Sequence, residues 1–93
     1  MTVIVCTLEL HFPAPASLKE KRHIVKSLVD RLRQRFNVSV SEIGDHELWQ
    51  RAALGVACVG HDKRHTEQTI DRVVAFVRQH PELELLRSET QLV

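Results

Sequence analysis

Apolar and polar residues alternate over residues 2–12, which predicts a β-strand. The side chains that would share one side of this strand are all apolar: Ile4, Cys6, Leu8, Leu10 and Phe12. The other side would carry Val3, Val5, Thr7, Glu9 and His11. Because successive side chains of a strand point to opposite faces, the apolar side is predicted to pack against a core. Pro13 and Pro15 then end the strand, since a proline nitrogen cannot donate a hydrogen bond to a sheet.

A helix is predicted to follow, from about Leu18 to Arg35 or Phe36. Ser17 and Glu20 have the Ser-x-x-Glu spacing of a capping box, which marks the start of a helix. Apolar residues then recur at helical spacing along one stripe: Leu18, Ile24, Val25, Leu28, Val29, Leu32 and Phe36. This stripe predicts that the helix packs one face against the sheet.

Two strands are predicted in the middle of the chain. Residues 37–43 alternate, with Val38 and Val40 opposite two serines, and the following Gly44 begins a turn signal. Residues 51–61 form a third strand that is rich in alanine and glycine. Such small side chains allow a helix or a partner sheet to approach closely.

A second helix and a fourth strand complete the pattern. Asp62 is placed to cap the helix, and Pro81 ends it. Its stripe consists of Thr66, Ile70, Val73, Val74 and Val77. Residues 82–92 predict the last strand, with Leu83 and Leu85 facing inward.

The order β-α-β-β-α-β predicts an α+β fold of the ferredoxin-like type. Right-handed crossovers would place strands one and three at the centre of a four-stranded sheet, with both helices on one face. Cys6 and Cys58 would then lie on neighbouring central strands. With 93 residues, the chain is expected to form a single domain over residues 1–93.

The composition is that of an ordinary folded domain, with 43% hydrophobic and 27% charged residues. The first residues lack the basic start and cleavage site of a secretory signal, and no apolar run approaches the length of a membrane span. We therefore expect a cytoplasmic protein without a membrane partner. Cys6 and Cys58 each lie in an apolar run, which favours buried structural thiols over a disulfide framework.

The charges are distributed unevenly along the chain. Residues 17–36 contain seven Lys and Arg against two Asp and Glu, a net +5, so the rest carries −4 within the total of +1. Four of these basic residues fall together beside the apolar stripe of the predicted helix. We call them the basic ridge: Lys19, Arg22, Lys26 and Arg33. Such a ridge can contact successive phosphates, so the sequence predicts a nucleic-acid-binding surface.

Lys21 is the fifth candidate for nucleic-acid binding in this segment. Lys19 and Lys21 would both lie in the first turn of the helix, where the helix dipole disfavours cations. A bound anion would gain from both lysines and from the free backbone N–H groups of the helix start. The alternative is a solvated helix face, on which Lys and Arg stems cover the apolar border.

No set of residues in the sequence forms a convincing catalytic or metal site. His61 and His65 are four apart, but Asp62 is predicted to begin the helix between them and no third ligand is near. Glu42 has no partner acid or nucleophile, so an ion-pair or turn carboxylate is the default interpretation. Acylphosphatases share the predicted topology and hold phosphate in a glycine-rich loop with an arginine, whereas residues 13–17 contain neither. We therefore expect no catalytic residue, cofactor or metal.

Two further features are candidates for binding a partner. Val3 and Val5, with the small residues of the third strand, would leave an apolar patch on the open sheet face, which suits a protein or homodimer interface. Trp49 is the only tryptophan, and we favour the interpretation that it closes one end of the core. Its alternative is to anchor a partner or to stack on a base. Base stacking on the sheet itself is not expected, because residues 51–61 contain no aromatic side chain.

Three motifs in order resemble the YlxP-like family, small bacterial proteins classed as domain of unknown function 503. They are SLKEKR at residues 17–22, RFNVSV at 35–40 and LWQRA at 48–52. Ser41 stands where the family pattern usually has alanine. The resemblance implies a ferredoxin-like fold. Genes of such proteins often lie near those for translation initiation and ribosome maturation factors, which implies an RNA- or ribosome-linked role.

The sequence therefore predicts a non-catalytic binding module that associates with RNA or the ribosome through its basic first helix. The alternative is a protein-interaction or homodimerisation module that uses the open sheet face and has no nucleic-acid role.

Overall fold

The computed structural model describes residues 1–93 and contains the six predicted elements in the predicted order. They are β1 (Thr2–His11), α1 (Leu18–Arg35), β2 (Ser39–Gly44), β3 (Arg51–Gly60), α2 (Lys63–Arg78) and β4 (Glu84–Leu92). The sheet order is β2-β3-β1-β4, and every neighbouring pair is antiparallel. The α+β ferredoxin-like prediction is confirmed.

Most of the residues predicted for the core are buried. The five apolar residues on the inner side of β1 are all buried, and the helix stripes supply most of the rest of a 19-residue cluster. Of the predicted α1 stripe, Leu18 and Phe36 are only half-buried, because they lie at the two ends of the helix. α1 packs over the edge strand β2, whereas α2 packs over the central strands β1 and β3.

The two cysteines lie on the neighbouring central strands, as predicted. Cys6 is paired with Val56 in the β1–β3 register, and Cys58 is paired with Ile4. Both thiols are free and buried. Burial raises the pKa of the Cys58 thiol, which keeps it in its protonated form.

Two strands begin later than predicted: β4 at Glu84 rather than Glu82, and β2 at Ser39 rather than Asn37. The backbone N–H of Val38 donates to the carbonyl of Phe36 at 2.9 Å, a tight turn that takes this residue out of the sheet. The side chain of Asn37 donates to the carbonyl of Val59 at 3.3 Å. These two residues therefore connect α1 to β2 rather than belonging to the strand.

No helix of the structure is both long enough and apolar enough to cross a membrane.

Candidate nucleic-acid interface

The basic ridge lies along the border of α1 that faces the sheet edge at β2. Lys19, Arg22 and Lys26 are exposed there, because they occupy the side of the helix next to its buried stripe. A shallow depression on this border is lined entirely by polar side chains: Ser17, Lys19, Glu20, Arg22, His23 and Lys26. Three of the predicted residues therefore share one accessible surface.

The exposed ridge residues are only weakly engaged within the chain. Lys26 Nζ lies 2.9 Å from Asp30 Oδ2, and its side chain is 78% exposed. Arg22 lies 3.9 Å from the carboxylate of Glu47. Lys19 takes part in no ion pair. Exposed pairs of this kind are worth less than about 1 kcal/mol, so a phosphate can compete for these cations.

Arg33 lies farther along the ridge and has a structural partner. Its Nη2 donates to the carbonyl oxygen of Val40 at 2.6 Å. Val40 belongs to the edge strand β2, so this bond occupies a carbonyl that would otherwise be available to another chain. Arg33 therefore fixes α1 to the sheet edge as well as adding positive charge to the ridge.

Lys21 does not lie on the exposed surface, which corrects its inclusion among the phosphate-binding candidates. Its side chain is 0% exposed, and its Nζ donates to Glu42 Oε2 at 3.1 Å and to the carbonyl of Asp45 at 3.1 Å. The sequence did contain a signal, because Lys21 precedes Val25 by four residues and Leu28 by seven. That spacing places Lys21 on the buried stripe itself. The default interpretation of Glu42 as an ion-pair carboxylate is confirmed.

The start of α1 is capped from within the chain. The backbone N–H of Glu20 donates to Ser17 Oγ at 3.1 Å, and the carboxylate of Glu20 accepts from the backbone N–H of Ala16 at 3.2 Å. A negative charge is thus already present at the positive end of the helix dipole. These contacts argue against the predicted anion site at the helix start. Lys21 is buried, and the backbone N–H of Glu20 already donates to Ser17 Oγ. Any phosphate contact falls to the exposed side chains.

Trp49 is 53% exposed, so the interpretation that it closes one end of the core is wrong. Phe12 fills that position instead, with no exposed surface. The backbone N–H of Phe12 donates to the carbonyl of Gln50 at 2.9 Å and holds the loop across the end of the core. Leu48, at 49% exposure, and Trp49 lie in this loop between β2 and β3 and form an exposed apolar tip, which we call the Leu48–Trp49 tip.

The open face of the sheet carries the two predicted valines. Val3 and Val5 are half-buried on this face, beside the alanines and Gly55 of β3. A bulge in β2 turns Ile43 over Gly55, where a Cβ would lie 3.0 Å from Ile43 Cγ2. The neighbouring β4 places polar residues on the same face: Arg87, Glu89 and Gln91. The apolar area therefore lies mainly on β1, β3 and β2, and the exposed Val93, whose backbone N–H donates to the carbonyl of Val3, borders it.

The two histidines considered as ligands are both exposed, and each is associated with the cap of α2. The backbone N–H of His65 donates to Asp62 Oδ1 at 2.8 Å. His61 Nδ1 lies 3.4 Å from Asp62 Oδ2. The hydrogen bond from His65, followed by that from His61, lowers the pKa of the Asp62 carboxyl. The structure thus places His61, Asp62 and His65 in a helix cap.

These observations define the protein as a small α+β domain of ferredoxin-like fold with an exposed basic border on its first helix. Residues 3–90 match the family model described as "Protein of unknown function (DUF503)", and the chain belongs to this family. It is also similar to "Uncharacterized protein YlxP" of Bacillus subtilis (strain 168), with 43% identity over 75 residues. That alignment covers 81% of this chain and 82% of the relative. The resemblance predicted from the three motifs is confirmed.

Proposed function

We propose that this protein is a non-catalytic RNA-binding module that holds phosphates along the outer border of α1. The observation that supports this most directly is the exposure of Lys19, Arg22 and Lys26 around one shallow polar depression. Residues 17–36 carry a net +5 and the rest of the chain a net −4, so the positive charge is enriched in the segment that forms α1.

The spacing of these cations suits a nucleic-acid strand. From Lys19 to Lys26 the helix rises by about 10 Å at about 1.5 Å per residue. One strand of double-stranded DNA carries a phosphate about every 3.4 Å of helix axis, and on this scale the span of the three side chains corresponds to about three successive phosphates. Their contacts would position a strand without reading its bases.

The surface used by many RNA-binding sheets is unsuitable in this chain. The outward side chains of β3 after Arg51 are small or aliphatic, and Phe12, the one aromatic residue at the end of β1, is buried on the inner side of the sheet. Stacking on the sheet is therefore not part of the proposal. The ribosome is the RNA-containing partner that the family resemblance implies.

Charge reversal of the ridge tests this proposal. In the triple variant Lys19→Glu, Arg22→Glu and Lys26→Glu, we expect RNA affinity to fall at least tenfold at low salt. The slope of log affinity against log salt should also decrease by about 0.7 to 0.9 for each phosphate that the variant no longer binds. Fluorescence anisotropy with a labelled ribosomal RNA fragment, measured over a salt series, gives both quantities.

A matched control changes the same net charge elsewhere. Arg31, Arg64 and Arg72 are exposed and lie off the ridge, on the α2 side of α1 and on α2 itself. The variant with these three arginines changed to Glu should retain most of the RNA affinity. Its affinity should also depend more steeply on salt than that of the ridge variant. Equal decreases in the affinity of the two triple variants would contradict a localised site, and no RNA binding by the unmodified protein would reject the proposal.

The open sheet face supports a second candidate function, which is protein interaction or homodimerisation. Val3 and Val5 lie beside Val59, which is 47% exposed, and Ile43 extends the apolar area toward β2. If this face is an interface, the protein should self-associate in light scattering, and Val5→Lys should yield a monomer. A single monomeric species at high concentration would contradict homodimerisation.

A further inference from the structure

Trp49 contributes little to the core although it is the largest side chain in the protein. Burying an aromatic residue removes about 150 to 250 Å² from water, which ordinarily makes it a strong contributor to folding. Here the side chain is 53% exposed, and the adjacent Leu48 is 49% exposed. Folding therefore does not explain why two large apolar residues lie side by side in a surface loop.

The loop that carries them is held at both ends. The carbonyl of Gln50 accepts from the backbone N–H of Phe12 at 2.9 Å. The carbonyl of Asp45 accepts from Leu48 N–H at 3.1 Å and from the buried Lys21 ammonium at 3.1 Å. Because the backbone on either side of Trp49 is anchored, little loop entropy remains to be lost when a ligand contacts the ring.

The Leu48–Trp49 tip adjoins the basic ridge. Glu47, two residues before Trp49, lies 3.9 Å from the guanidinium of Arg22. On the other side, the exposed Arg51 follows two residues after Trp49 and lines the same surface depression as Leu48 and Trp49. The accessible indole thus shares a depression with Arg51 and lies two residues from Glu47, which is the ion-pair partner of the ridge residue Arg22.

Proteins that bind single-stranded nucleic acids combine cations with an aromatic face on which a base can stack. Phosphates contact the cations, and an unpaired base stacks on the ring, which is possible only when the base is not held in a duplex. We infer that the Leu48–Trp49 tip is a stacking platform for an unpaired base, and that the RNA bound by the ridge is single-stranded or looped at this point. This inference rests on the proposed function.

The chain contains one tryptophan, so its intrinsic tryptophan fluorescence reports directly on contacts of Trp49. Stacking of a base on the indole should quench its fluorescence. We would titrate the unmodified protein with a single-stranded RNA 12-mer and with the blunt duplex of the same sequence. We expect saturable quenching by the single strand and little quenching by the duplex at equal occupancy, which anisotropy measures independently.

Two substitutions separate stacking from charge. Trp49→Ala should weaken single-strand affinity by about 5- to 150-fold, the effect of removing one base–aromatic stack, and should leave the salt slope unchanged. Trp49→Phe, which keeps an aromatic face, should retain most of the affinity. Duplex affinity should be the same in all three proteins. Because the side chain is exposed, both variants are expected to fold, which circular dichroism checks.

The outcomes distinguish this inference from the function on which it rests. Stacking would be overturned if RNA bound without quenching the fluorescence of Trp49 and if Trp49→Ala bound it as tightly as the unmodified protein. That result would still be compatible with phosphate binding by the ridge. Failure of the unmodified protein to bind either RNA would reject both. Self-association without RNA that Trp49→Ala abolishes would assign the tip to protein contact and would also overturn the inference.

Discussion

The ammonium of Lys21 lies 3.1 Å from Oε2 of Glu42, and this ion pair joins the first turn of α1 to the edge strand β2. Glu42 is paired in register with the buried Leu54, so it points to the helix side of the sheet. The same ammonium donates to the carbonyl of Asp45. Lys21 thereby fixes the positions of both the basic ridge and the loop that carries Trp49, without being exposed in either.

Removing one partner of this pair should destabilise the fold strongly. Lys21→Ala leaves the largely buried carboxylate of Glu42 without its cation, which costs about 3 kcal/mol or more in buried pairs. The double variant Lys21→Met with Glu42→Gln removes both charges and should cost clearly less. Urea unfolding of the single and double variants checks this difference. A double variant as unstable as Lys21→Ala would contradict the assignment.

Phe12, rather than Trp49, should carry the stability of this end of the core. Phe12→Ala empties a fully buried position and is expected to cost about 3 to 5 kcal/mol. Trp49→Ala changes an exposed side chain and should alter the free energy of unfolding by less than about 0.5 kcal/mol. Chemical denaturation of the two variants measures both values. The reverse ranking would show that the tip packs in solution.

A methyl group at Gly60 should not fit. A Cβ at this position would overlap Thr66 Oγ1, and Thr66 is fully buried with its hydroxyl donating to the carbonyl of Asp62 at 2.6 Å. Gly60→Ala is therefore expected to destabilise the protein by about 1 to 3 kcal/mol through overpacking. Gly44→Ala is the matched control, because its Cβ would meet Ala53 at an ordinary 3.4 Å. Thermal unfolding should separate the two variants clearly.

The cap of α2 should make stability depend on acid pH. Hydrogen bonds from His65 and His61 hold the pKa of Asp62 below its ordinary value, so the ionised form is favoured in the folded state. The resulting stabilisation is present above the pKa of the unfolded chain and is lost as the pH falls through the folded pKa. Asp62→Asn keeps a capping side chain that does not titrate. The unmodified protein should melt at a higher temperature than Asp62→Asn near neutral pH, and this difference should become smaller as the pH falls. If the difference in melting temperature stayed constant as the pH fell, ionisation of Asp62 would not be the cause of the acid dependence.

The order and faces of the elements were predictable because their signals are local. The alternation in β1 and the stripe of α1 each repeat within a few residues, and the Ser17–Glu20 capping box marks the helix start by itself. The start of β2 was less predictable, since Val38 alternates as a strand residue would. Its N–H instead bonds to the carbonyl of Phe36, a turn that the pattern does not encode.

The candidate site was predictable in part. Lys19, Arg22 and Lys26 lie on one accessible border because the helical period alone places them together. The prediction that Lys21 binds phosphate rests on its charge and its place in the first turn of the helix, although its spacing puts it on the buried stripe. Its burial depends on Glu42, which is 21 residues away in the chain and reaches it only through the fold.

The sequence by itself determined the order of helices and strands, the side of each that is buried, and the excess of positive charge in α1. Each of these follows from the identities of residues a few positions apart. Only the tertiary structure decided which cations remain accessible and which end of the core Phe12 closes, leaving Trp49 exposed. Those properties depend on contacts between distant segments, because a charged or aromatic side chain is buried only where the fold brings a partner or a cavity to it.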